Sequence, residues 1–264
     1  MTQRLAAVLL AAIVTVAMAA CGSGSEDGGG SRTGDDGGDL IVSAASSLTD
    51  AFPAYARSLG GTVRFQFAGS DELAAQIRQG VKPDVFAAAS PRFPDQLRAE
   101  GLVGRPVVFA TNQLVLAVPQ DSDIRSLTDL AKPGTTIAIG SPEVPIGSYT
   151  RDVLDRLGPA QSMAILANVR SEEPDVKGIV GKLAQGAVDA GFVYVTDLAA
   201  ADAQIRGITL PARLQPQAVY EAAVVTGAPH PQAARRFVAG LLHGSAQTAL
   251  KEAGFGAPQT AAMG

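Results

Sequence analysis

Four places along the chain bring small or hydroxyl-bearing residues to the point where a helical pattern begins. They are Ser46-Ser47 before Leu48-Thr49, Gly69-Ser70 before Asp71, Pro145-Ile146-Gly147-Ser148 before Tyr149, and Pro174-Asp175-Val176 before Lys177. The first turn of a helix carries N–H groups without intrahelical partners and about half a positive charge. A serine placed there either donates to a ligand or caps the helix, and for any one of the four places capping alone is a sufficient reason. If the four converge on one cleft, they offer roughly two units of positive partial charge to an oxyanion without a lysine or arginine. Spacing along the chain does not establish that convergence.

Other chemistries find little to stand on. The chain has no G-x-x-x-x-G-K-[ST] phosphate loop, no G-x-S-x-G elbow and no H-E-x-x-H pair. One Cys and two His among 264 residues exclude an intrachain disulfide and leave too few ligands for a His- or Cys-built zinc or iron–sulfur site. His230 follows a proline at a helix start and His243 lies near that helix's end, and both read as exposed structural residues. A hydrolase on this chain would use Asp84 or Asp197, which sit beside strand ends; each reads more simply as a cap or a hydrogen bond between lobes. An iron site of paired tyrosines would have only Tyr149 and Tyr194 to use.

The charge is uneven. Of the net −4, residues 21–39 supply Glu26, Asp27, Asp35, Asp36 and Asp39 against Arg32, and from Leu40 onward 19 basic residues face 20 acidic ones. A nearly neutral body carries no basic face, so a nucleic-acid partner is not expected. Met1 to Arg4 form a short basic start, and residues 5–20 are uncharged and almost wholly apolar. That run is shorter than the roughly 20 residues a spanning helix needs and fits a secretory signal over 1–20. It ends Met18-Ala19-Ala20-Cys21, which resembles the lipobox of bacterial lipoproteins; the resemblance implies cleavage before Cys21 and a diacylglyceryl group on its thiol. Residues 22–39 hold eight glycines among Ser and acids, so 21–39 reads as a flexible tether from an anchored Cys21.

From Leu40 onward apolar extended runs alternate with amphipathic stretches. Strands are predicted over 40–45, 62–67, 84–89, 114–118, 136–139, 191–195 and 219–225, and helices over 49–59, 71–79, 91–100, 148–157, 176–185 and 231–242. Such alternation predicts parallel βαβ units and an α/β fold with ligand sites at the carboxyl ends of strands. If 114–118 and 219–225 are strands that cross between two lobes, residues 40–113 with 226–264 form one lobe and 119–218 the other.

A family resemblance covers almost all of residues 40–226. Ile41-Val42-Ser43-Ala44-Ala45-Ser46-Ser47-Leu48-Thr49-Asp50-Ala51-Phe52 resembles the opening strand and helix of the molybdate-binding proteins of ABC transporters. Phe67-Ala68-Gly69-Ser70-Asp71-Glu72-Leu73, Gln76-Ile77, Gly80 and Pro83-Asp84-Val85-Phe86 follow in the same order. So do Ala110-Thr111-Asn112, Pro142-Glu143-Val144-Pro145 with Gly147, Asp175-Val176-Lys177, and Gly191-Phe192-Val193-Tyr194-Val195-Thr196-Asp197.

The resemblance implies a two-lobed type II periplasmic binding protein with its ligand cleft between the lobes, and a receptor rather than an enzyme. It implies that the hydroxyls of Ser47, Ser70 and Tyr194 and the backbone N–H groups of Ile146 and Val176 hold molybdate or tungstate, so that molybdenum enters as an oxyanion and no cation site or cofactor is needed. It further implies a monomer outside the cytoplasm that touches the membrane only through its lipid and hands its ligand to an ABC permease. A receptor for sulfate, phosphate or a small organic acid is the alternative within the same class. Ile146 is bulkier than the family's usual residue. Asp71 stands where the family usually has a neutral residue; its carboxylate is expected to face solvent, the alternatives being to repel the ligand or to accept a proton from an anion such as hydrogen phosphate.

Overall fold

Strands β1 (Leu40–Ala45), β3 (Val85–Ala88), β6 (Ile137–Gly140) and β8 (Ala190–Tyr194) are runs of small and branched apolar residues, buried along nearly their whole length. Strands covered by helices on both faces carry this pattern. In the computed structural model, which describes residues 39–199, 201 and 203–258, they form the centres of two sheets. The signal over 1–20, Cys21 and the tether as far as residue 38 lie outside the described residues.

The first sheet adds β2 (Val63–Ala68), β4 (Val107–Asn112) and β10 (Ala218–Val224) in the order β2-β1-β3-β10-β4. The second adds β5 (Leu114–Pro119), β7 (Val169–Glu173) and β9 (Ile205–Thr209) in the order β7-β6-β8-β5-β9. Around them lie α1 (Ala51–Ala56), α2 (Ser70–Arg78), α3 (Arg92–Ala99), α4 (Pro145–Arg156), α5 (Pro159–Leu166), α6 (Val176–Ala184), α7 (Val195–Ala199), α8 (Pro231–Gly240) and α9 (Gly244–Glu252). No helix among the described residues is long and apolar enough to cross a membrane.

The sheets are mixed, where the sequence pattern predicts parallel units. β1 runs parallel to β2 and β3, and β6 to β7 and β8. β10 is antiparallel to β3 and β4, and β5 is antiparallel to β8 and β9. These two strands arrive from the other sheet rather than through a crossover helix, so nothing forces them parallel. The segments 114–118 and 219–225, expected as crossing strands, each pair inside a single sheet; the passages themselves are Gln113, between β4 and β5, and residues 210–217. The helix expected over 49–59 is α1 alone, preceded by a 3₁₀ turn over Ser46–Leu48.

The last two helices return to the first sheet, α8 against β10 and α9 against α1. An aromatic core lies under them, with the Phe52 ring 5.7 Å from Phe109 and 5.6 Å from Phe237. Asp84, fully buried, ties this region together. Its carboxylate accepts the N–H of Ile41 at 2.8 Å and of His230 at 2.6 Å, and His230 Nδ1 stands 3.1 Å from it. His230 is therefore partly buried and bonded rather than exposed, because the carboxylate draws both its backbone and its ring inward.

Losing an acceptor that satisfies buried N–H groups costs about 1–3 kcal/mol per orphaned group. Asp84→Ala is expected to lower the unfolding free energy by about 3 kcal/mol in urea titration, and Asp84→Asn, which keeps one acceptor oxygen, by clearly less.

Candidate functional site

Ser47, Ser70, Ile146, Val176 and Tyr194 come from five separate segments, and all five line one cavity between the lobes. Ala45, Ser46, Gly69, Ala89, Pro145 and Asp175 are among the other residues of its wall, and no lysine or arginine is. The cavity is small, about 20 Å³, against the roughly 10–15 Å³ that one water molecule requires.

Each wall residue is brought there by its element. Ser70 opens α2, and its Oγ accepts the Ala89 N–H at 3.1 Å, which leaves its own proton for another acceptor. Ser47 lies in the 3₁₀ turn after β1, with its Oγ 2.8 Å from the Tyr220 hydroxyl. Tyr194 ends β8 with 1% exposure, and its hydroxyl has no hydrogen-bond partner among the described residues. Burial pushes that phenol well above its ordinary pKa, so it stays a neutral donor. Its ring stands edge-on to Tyr220 of the first sheet, centroids 6.0 Å apart.

Helix α4 starts at Pro145, three residues before the predicted helix start, and Ile146 is its second residue. The Val144 carbonyl takes the Ser148 N–H at 2.9 Å, so the Ile146 N–H has no acceptor within the helix. This first turn sits directly on the end of β6. A Cβ at Gly147 would run into the Ser141 carbonyl, and one at Gly140 would stand 2.6 Å from the Gly147 nitrogen. In α6 the Asp175 carboxylate caps the Gly178 N–H at 3.0 Å, leaving the Val176 N–H without an intrahelical acceptor. Three helices of eight residues or more thus open at the cavity rather than four, because Ser46-Ser47 belongs to a 3₁₀ turn too short to build a dipole. The partial charge on offer is about 1.5 units instead of two.

A family model described as bacterial extracellular solute-binding protein matches residues 40–256. The chain belongs to this family. It is 34% identical over 258 residues to the molybdate-binding protein ModA of Mycobacterium tuberculosis (strain ATCC 25618 / H37Rv), covering 95% of this chain and 97% of ModA. It is 30% identical over 171 residues, 60% of this chain and 63% of the other, to YvgL of Bacillus subtilis (strain 168), assigned by name to the ABC transporter substrate-binding lipoproteins. Among solved structures, the Azotobacter vinelandii periplasmic molybdate-binding protein has the same fold, with a TM-score of 0.74 at 24% identity over 84% of this chain and all of that one. The chain is thus a two-lobed type II binding protein of a family that works outside the cytoplasm, and a transport receptor rather than an enzyme.

In this solute-binding protein the carboxylates once open to a hydrolytic reading have structural work. Asp84 is engaged as above. Asp197, 1% exposed, accepts the Tyr194 N–H at 3.2 Å and so fixes the backbone that carries the tyrosine. Lys177 Nζ stands 3.3 Å from Asp197 and 3.8 Å from Asp50 of the other lobe, so this cation is already matched by two carboxylates. Among the described residues no group of three or more His, Cys, Asp or Glu side chains is arranged to hold a metal ion.

Asp71 differs from expectation. It is partly buried, and its Oδ1 is shut away from solvent without a hydrogen-bond partner. It does not line the cavity; it lies along the seam where Gly69 of one lobe meets Pro174 of the other. Sequence reasoning passed over Ala89 in the wall, and over Tyr220 and Asn112 behind Ser47. Asn112 sits inside a quoted family match, whereas nothing in the pattern of β10 marks Tyr220.

Burial raises the Asp197 carboxyl from 3.8 to about 6, outweighing the opposing pull of Lys177. The folded protein therefore holds this proton more tightly than the unfolded chain, and stability falls as pH rises from about 4 to about 6. At 1.36 kcal/mol per unit, Asp197→Asn is expected to remove about 3 kcal/mol of that decline in melts across this range. Glu221, which burial raises to about 7, keeps a decline of the same sign in the variant.

Proposed function

We propose that this protein captures molybdate, and tungstate as a tetrahedral dianion of the same kind, by closing its two lobes around the anion. Ser47 and Ser70 donate from the first lobe, and Ile146, Val176 and Tyr194 from the second. The observation that carries this reading is the Tyr194 hydroxyl, fully buried and without a hydrogen-bond partner among the described residues, at a cavity that serine hydroxyls and three helix openings also line. A buried donor left empty-handed costs free energy unless a ligand takes it. Room for little more than one small centre suits a tetrahedral ion and not a sugar phosphate or an organic acid. The relative named as a molybdate-binding protein, aligned over nearly the whole chain, points the same way.

The absence of a lining cation fits release as well as capture. Donors in a closed, water-poor cleft are stronger than the same donors in water, and each charge-assisted hydrogen bond contributes about 1.5–3 kcal/mol. Once the lobes part, no countercharge detains the anion. Delivery is to an ABC permease, with the monomer held at the membrane by lipid on Cys21; the Met18-Ala19-Ala20-Cys21 sequence and the naming of YvgL as a lipoprotein support the anchor.

Titration calorimetry tests the ligand. The unaltered protein is expected to bind molybdate and tungstate far more tightly than sulfate or phosphate, and equal affinity for sulfate would overturn the assignment. Ser47→Ala and Ser70→Ala should each weaken molybdate binding roughly 10- to 150-fold, the equivalent of one charge-assisted hydrogen bond.

Closure has its own test at the seam. A Cβ on Gly69 would stand 2.6 Å from the Pro174 carbonyl oxygen across the cleft. Gly69→Ala is expected to weaken binding about tenfold or more through overpacking of about 1–3 kcal/mol in the closed state. Urea stability of the ligand-free protein, whose lobes can stand apart, should fall by about 1 kcal/mol, the cost of alanine for glycine at the N-cap of α2.

A further inference from the structure

Asp71 is the second residue of α2, one place after Ser70 of the cavity wall. Its carboxylate turns back toward Gly69 and the second lobe. The point a Gly69 Cβ would occupy lies 2.7 Å from Asp71 Oδ1 and 2.6 Å from the Pro174 carbonyl oxygen. Oδ1 is shut away from solvent and has no hydrogen-bond partner among the described residues. An ionised carboxylate offers only acceptors, and so does a carbonyl. Two oxygens that cannot bond each other therefore flank one point of the seam.

Other contacts across the lobes have the opposite sign. Lys177 Nζ stands 3.8 Å from Asp50, and Asn112 Nδ2 donates to Thr196 Oγ1 at 3.0 Å. Each draws the lobes together whether or not a ligand is present.

Taking molybdate capture by lobe closure as given, we propose that Asp71 works against closure, raising the free energy of the shut state so that the bound anion leaves faster. With the lobes apart, Oδ1 meets water. Shutting the seam strips that water and supplies no donor, and a buried acceptor left unmet is costly. Closure also confines the Asp71 charge near the dianion beside Ser70, in a medium that screens less than water. The dipole of α2 does not offset this, because Asp71 rides on that helix in both states and gains the same from it in each. The opening of α6 on the far side is already capped by the Asp175 carboxylate, a further like charge. What is left is a difference between open and shut, and only such a difference moves the equilibrium.

Asp71→Asn tests the proposal, since the amide keeps the shape and its nitrogen can donate to the Pro174 carbonyl. Calorimetry should show molybdate bound roughly tenfold more tightly, the worth of one hydrogen bond. Chase of labelled molybdate by excess unlabelled molybdate should show the gain as roughly tenfold slower dissociation, with association almost unaltered. The ligand-free variant should meanwhile unfold slightly more easily in urea, because a carboxylate is lost from a helix start. A residue that merely held the fold would lose affinity and stability together. Asp71→Ser, neutral but too short to bridge the seam, should keep part of the affinity gain and serves if the Asn variant does not fold. Glu72→Gln is the control. It removes the next carboxylate of the same turn, which is exposed and bonded to Gln76, and should leave the affinity within about twofold. Weaker or unchanged binding in both Asp71 variants, a gain confined to association, or an equal gain in Glu72→Gln would overturn the proposal. Failure of the unaltered protein to bind molybdate would instead overturn the ligand assignment, and this proposal with it.

Discussion

An anion taken out of water must recover from the protein the hydrogen bonds that water gave it. On the function proposed above, the hydroxyls and helix-opening N–H groups that would take up that task in this chain are neutral. No lysine or arginine lines the cavity, and Lys177 nearby is matched by Asp50 and Asp197. Neutral donors serve only if they are in place before the ligand arrives, since each one ordered afterwards costs conformational entropy. The features around the cavity follow from that requirement: serine hydroxyls already held by buried partners, helices that open toward one cavity, and a buried phenol without a hydrogen-bond partner among the described residues.

Backbone proximity is what lets two lobes supply these groups together. Gly147 allows the first turn of α4 to lie against the end of β6, which brings the Ile146 N–H to the cavity. Gly69 lets the start of α2 approach the Pro174 carbonyl of the other lobe. At both places a methyl group would separate the elements that carry the donors. The Tyr194–Tyr220 ring contact and the Asn112–Thr196 hydrogen bond join the lobes just behind the same cavity. Contacts that shape the site therefore also set the relation between the lobes, so ligand binding and lobe geometry are linked.

Much of this was legible before the fold was known, for identifiable reasons. The central strands are covered on both faces, so they read as unbroken apolar runs, and β1 is predicted over the span it occupies. Edge strands carry weaker signals. β7 is Val-Arg-Ser-Glu-Glu and β9 is Ile-Arg-Gly-Ile-Thr, too polar to stand out from loops, and neither is predicted. Direction within the sheets was also hidden, because β5 and β10 take theirs from passing between lobes. The five cavity residues named from sequence are found together, although it was the family resemblance that brought them together and not their spacing. Tyr220 escaped notice because an aromatic on a buried strand looks like core until its hydroxyl is seen against Ser47. The burial of Asp71 was not legible, because a carboxylate beside a helix start looks solvated unless the opposite lobe is in view.

The account reduces to neutral donors from two lobes meeting one tetrahedral dianion, and anomalous diffraction from crystals grown with molybdate reads that directly. The account predicts a single molybdenum peak in the cavity, with ligand oxygens at hydrogen-bond distance, about 2.7–3.2 Å, from the Ser47, Ser70 and Tyr194 hydroxyls and from the Ile146 and Val176 nitrogens. A peak beside Lys177, or one contacting a single lobe, would contradict it.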